Sequence, residues 1–122
     1  MPSRLASSYP DLQHALDAII PSKKMDVATR IVLWAATGAG LDPAEIMVTL
    51  SKLDPVLFDN LCSEMELQYF KLFELGDEMH RVFFCKARAY SASAWLAREA
   101  PGEAIYESIF ATDRPVVIAD FL

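Results

Sequence analysis

Two long amphipathic segments, residues 55–75 and 78–99, follow one another with only Gly76 and Asp77 between them. Each repeats apolar residues at helical spacing, and a connection this short forces consecutive helices to fold back as an antiparallel hairpin. The first segment reaches roughly 30 Å at the standard helical rise. On its wheel Leu57, Leu61, Leu72, Met65, Phe58, Tyr69, Cys62 and Phe73 form one broad apolar face. Leu67 and Phe70 fall outside that face, among Asp59, Ser63, Glu66 and Glu74. In the second segment Met79, Phe83, Ala87, Tyr90, Ala94 and Ala97 make the core face, and its small residues admit a close neighbour. A second stripe, Phe84, Arg88, Ser91 and Trp95, runs outside it with Arg81 alongside.

The rest of the chain is also helical in pattern. Leu12, Ala15, Leu16, Ile19 and Ile20 predict a first helix ending at Pro21. Ser22 is placed to cap a second, through about Thr37, with Met25, Ala28, Ile31, Val32 and Ala35 inward. Gly38-Ala39-Gly40 ends it, because glycine readily takes the left-handed conformation of a helix C-terminus. Asp42-Pro43-Ala44-Glu45 sets an N-cap, a first-turn proline and a capping-box glutamate in register. That short third helix buries Ile46, Met47, Leu50 and Leu53, and Asp54-Pro55 repeats the device to open the long fourth. After Pro101-Gly102 a short helix over 103–110 buries Ile105 and Ile109. The tail, residues 114–122, reads equally as a strand or as loose helix, and its apolar residues predict docking against the body. The expected architecture is a single all-α domain over residues 1–122. It is a compact bundle of five main helices plus a short sixth, with an ordered apolar C-terminal tail.

A hydrophobic content of 53 % over 122 residues sustains a core without metal or disulfide staples. Only Cys62 and Cys85 occur, each within a helical pattern, so both are expected as reduced, packed thiols. The N-terminal residues 1–8 lack the apolar run of a signal peptide, and no stretch approaches a bilayer-spanning length. The expected address is the cytoplasm. A net charge of −6 disfavours direct nucleic-acid binding and docking to an anionic membrane. Its distribution is uneven: residues 1–41 carry +1, 42–78 carry −7, 79–98 carry +4 and 99–122 carry −4. The acidic middle would steer a protein partner with a basic surface.

Chemistry is sparse. No nucleophile elbow, P-loop or cofactor fingerprint occurs, so no cofactor is expected. Asp11-x-x-His14 and Asp77-x-x-His80 share the carboxylate-x-x-His spacing of bundle metal sites. Both aspartates also stand at helix starts, where a carboxylate caps free backbone N–H groups. The leading expectation is therefore a non-enzymatic interaction module, such as a small acidic inhibitor, immunity-type protein or adaptor. Glu64, Glu66 and Glu74 would steer the partner, while Leu67, Phe70, Phe84 and Trp95, with Arg81 and Arg88, would anchor it. The alternatives are a helical-bundle enzyme or ligand-binding protein, and a structural subunit whose second copy (a homodimer) covers the Phe84–Trp95 stripe.

Overall fold

The computed structural model describes residues 3–122; Met1 and Pro2, the start of the N-terminal stretch considered above, lie outside it. Seven α-helices follow in order: α1 Arg4–Ser8, α2 Pro10–Asp17, α3 Pro21–Gly38, α4 Pro43–Leu50, α5 Pro55–Glu74, α6 His80–Ala97 and α7 Pro101–Ile109. A 3-10 turn, Ile118–Phe121, closes the chain. The described residues contain no strand, so the all-α expectation holds and the strand option for the tail falls away.

Proline sets the phase of this fold. Five helices carry it in their first turn, where the missing N–H would have no intrahelical partner anyway. Pro21, expected to stop one helix, in fact starts α3, with Ile20 rather than Ser22 at the N-cap. Asp42 and Asp54 cap as expected, accepting from the N–H groups of Ala44 and Val56 at 2.9 and 3.0 Å. Helix α1 was not anticipated. Ser3 caps it through Ala6, and its single apolar anchor, Leu5, is fully buried.

Helix α6 is the axis of the bundle and packs against α3, α4, α5 and α7. Ala87, Ala89, Ala92, Ser93 and Ala94 are all buried, and small side chains on several faces let neighbours approach from different sides. One core gathers Leu5, Leu16, Ile31, Val32, Leu96 and Ile105 between α1, α2, α3, α6 and α7. A second, dominated by alanines, closes around Phe58 and Ile46. The tail docks on the first core through Val116 and Ile118, and Phe121 meets the Trp34 ring edge-on at 5.4 Å.

Several residues assigned to the core lie at the surface instead: Ile20, Met47, Leu53, Leu57, Phe73 and Met79. The reason is geometric for the hairpin members. Helix α5 packs on α6 and only slightly on α4, so much of its apolar face has no third layer to meet.

Helices α3, α5 and α6 end in the same way. The N–H two residues past the cap bonds back to a carbonyl in the last turn, as in Leu41 to Ala36, Asp77 to Leu72 and Ala100 to Trp95, each at 2.9 Å. The left-handed residue is glycine in the first two (Gly40, φ 89°; Gly76, φ 69°) but Glu99 (φ 59°) in the third. An L side chain there costs about 1–2 kcal/mol, against about 0.5–1 kcal/mol of extra unfolded-state entropy for glycine. Glu99→Gly is thus expected to stabilise the fold by up to about 1 kcal/mol, read as a higher urea midpoint at unchanged m-value.

Candidate docking surface

The outer stripe of α6 is neither capped by another helix nor fully open. It floors a groove with α5 on one side and α7 on the other, and ion pairs cross this floor. Arg88 reaches both walls, donating from Nη2 to Glu66 Oε1 at 3.0 Å and from Nη1 to Glu107 Oε2 at 3.2 Å. Cys62 donates to the same Glu66 oxygen at 3.0 Å. Burial, then this hydrogen bond, pushes the Cys62 thiol up to about 12, so it stays protonated at neutral pH. Glu107 is the most enclosed charge of the group, its side chain 6 % exposed, and it also accepts from Arg4 Nη2 at 3.3 Å.

On the Trp95 side of Arg88 the groove widens to a polar cavity of about 650 Å³. Its charges are already matched. Arg98 grips Asp59 with two hydrogen bonds, and Arg4 binds Glu103 through both Nε and Nη2. Along the stripe of Phe84, Arg88 and Trp95, Arg88 stacks on the first ring only. Arg88 sits 5.8 Å from the Phe84 ring centroid, whereas Trp95 is covered by Arg98 at 5.7 Å.

On the other side of Arg88 the surface is apolar and uncovered. Tyr69 is the hub of an aromatic cluster, with ring centroids 5.2 Å to Phe70, 5.8 Å to Phe73, 5.7 Å to His80 and 5.6 Å to Phe84. Phe70 and Phe73 are each 57 % exposed, and Leu67, Leu75 and Met79 are at least half exposed. The six large apolar side chains at this end of the hairpin, Phe84 included, expose on the order of 600 Å² in sum, and of them Phe70, Phe73 and Phe84 join through Tyr69.

The residues singled out from the sequence thus divide into two groups. Leu67, Phe70 and Phe84 contribute to the exposed apolar surface, with Glu74 and Arg81 exposed on the same two helices. Glu66 and Arg88 belong to the ion-pair network, Trp95 is half-buried beside the polar cavity, and Glu64 is exposed and adds its charge near Tyr90. Asp11 and His14 are exposed on α2. Asp77 accepts the Met79 N–H at 2.9 Å, as a turn cap does, and His80 packs edge-on against Phe73. Among the described residues no three His, Cys, Asp or Glu side chains gather where they could hold a metal ion. Cys85 and His80 share a cavity with Asp113, but burial, then the Asp113 charge, raises the Cys85 thiol, the opposite of what a nucleophile needs.

Phe73, Leu75, Met79 and Glu107 are the participants that sequence reasoning missed. Glu107 had a signal: it lies three residues from Ala104 on the inward stripe of α7, and a charge at such a position implies a buried partner.

No helix among the described residues is long and apolar enough to cross a membrane. Set against models of protein families, curated proteins and solved structures, the chain matches none.

Proposed function

We propose that this protein is a non-enzymatic interaction module whose docking surface is the free end of the α5–α6 hairpin. The observation that carries this reading is the half-exposed aromatic cluster of Phe70, Phe73 and Phe84 about Tyr69, with Leu67, Leu75 and Met79 also exposed toward the same end of the hairpin. Exposing this much aromatic surface carries a solubility cost, and a partner that covers it removes that cost. The charge of the surrounding chain, −7 over residues 42–78, favours a partner with a basic surface and speeds its approach. An inhibitor, an immunity-type protein and an adaptor all fit this description. The ion pairs at Arg88 and Arg98 tie α5 to α6 and hold the presenting surface rigid, which lowers the entropy lost on binding.

The test is a paired capture from a native cell extract, at low and moderate salt, with wild type and Phe70→Asp. A protein retained by wild type, released by salt and lost with Phe70→Asp at unchanged circular dichroism is the expected result. Identical sets of proteins retained by both forms would sink the reading.

A further inference from the structure

Resting on that reading, we infer that the occupant of the hairpin end is a cationic amphipathic helix, with apolar side chains seated on both sides of Phe84. Three observations narrow the choice. The surface is more apolar than polar, so an extended segment laid across it would lose water from backbone N–H and C=O groups that find few partners there. A helix satisfies its own backbone and brings only side chains. Pairing as an added strand has no edge to use, because the described residues contain no sheet.

The relief also suits a helix. Two adjoining cavities, about 210 and 360 Å³, share Tyr69 and Phe84 as a common wall. Each has room for a large side chain, and residues one turn apart on an incoming helix would straddle that wall. Finally, the charges around the patch are unbalanced. In and beside the hairpin turn the acidic Glu74, Asp77, Glu78 and Asp113 outnumber Lys71 and Arg81, and none of the six is in an ion pair within the described structure. A second copy would bring a like-charged rim against this one. Lysines and arginines flanking an apolar stripe complement this rim.

The experiment uses the full chain and a synthetic fluorescent peptide of about 18 residues, about 27 Å long as a helix. Leucines form one face and lysines the flanks. Three companions share its length: one with glutamate for lysine, one with two central prolines, and a proline-rich peptide of polyproline II form. Fluorescence anisotropy should show the cationic helix binding at least about tenfold more tightly than each companion, and weakening as salt rises. Phe70→Asp and Phe84→Asp should each weaken it about tenfold or more. Phe70 is the more exposed of the two, so its variant decides the matter if Phe84→Asp loses its fold.

Equal binding of the glutamate peptide would overturn the charge assignment. Equal, Phe70-dependent binding of either proline-containing peptide would overturn the helix while leaving a docking surface in place. Binding that ignores Phe70 overturns the site. Sedimentation of the protein alone completes the test. A wild-type dimer that Phe70→Asp makes monomeric would assign the surface to a second copy and remove both this inference and the basic-partner reading.

Discussion

Phe58→Ala is expected to destabilise the protein by about 3–5 kcal/mol. Its ring is fully buried and is the largest wholly enclosed side chain in the molecule. Ala35, Ala36, Ala89 and Ala94 make up much of the core cluster to which it belongs, with Ile46 the one larger buried neighbour. Alanines have no rotamers with which to fill a void, whereas Leu61 and Tyr90, partly buried against the same cluster, can close it only in part, so the cost should fall within that range. Against a typical domain stability of about 5–15 kcal/mol, the variant would be marginal. Urea unfolding followed by circular dichroism measures the loss directly. The control lies fifteen residues along the same helix. Phe73→Ala removes the same ring from a half-exposed position and should cost no more than about 1 kcal/mol. Comparable losses at the two positions would mean that Phe73 is covered in solution, by a second copy or by the chain itself.

That contrast also marks what was legible in the sequence. Phe58 and Phe73 sit near one another on the wheel of α5, and periodicity assigns both to the core. Periodicity reports which face of a helix is apolar, not how far along that face a neighbour extends. Here α6 lies beside α5, but no third layer covers the end nearest Gly76, so one stripe is core at one end and surface at the other. Leu67 and Phe70 were recognisable because they break the periodicity; Phe73, Leu75 and Met79 conform to it or sit at its edge, and so gave no warning. Helix existence was readable almost throughout because proline and aspartate punctuate the chain so regularly. The exception, α1, is five residues long with one apolar anchor, too short for any period to show. Long-range pairing was the least visible layer. Glu66 and Arg88 were assigned from the sequence to the binding of a partner, whereas they pair with each other, and nothing local tied Arg4 to Glu103 and Glu107, about a hundred positions away.

The Arg88 network yields the other large effect. Arg88→Ala leaves the Glu107 carboxylate enclosed, with one remaining partner, Arg4 at 3.3 Å, itself half exposed. Removing one member of a buried pair typically costs about 3–5 kcal/mol, mostly the penalty of the charge left behind. Glu66, the other partner, is 43 % exposed in its side chain and can turn to water, so it adds little. The pair itself need not stabilise the fold, because two desolvated ions can cost as much as their attraction returns, and Arg88 Nε has no partner at all. The double variant Arg88→Met with Glu107→Leu should therefore recover most of the loss, to within about 1–2 kcal/mol of wild type. Arg98→Ala, which breaks a pair exposed on both sides, should cost about 1 kcal/mol or less. A double variant as unstable as Arg88→Ala would show that the ion pair holds α5, α6 and α7 in register in a way that apolar packing cannot replace. Full recovery combined with weaker docking would instead assign the network to the groove: its charges would then be kept for the partner and not for the fold.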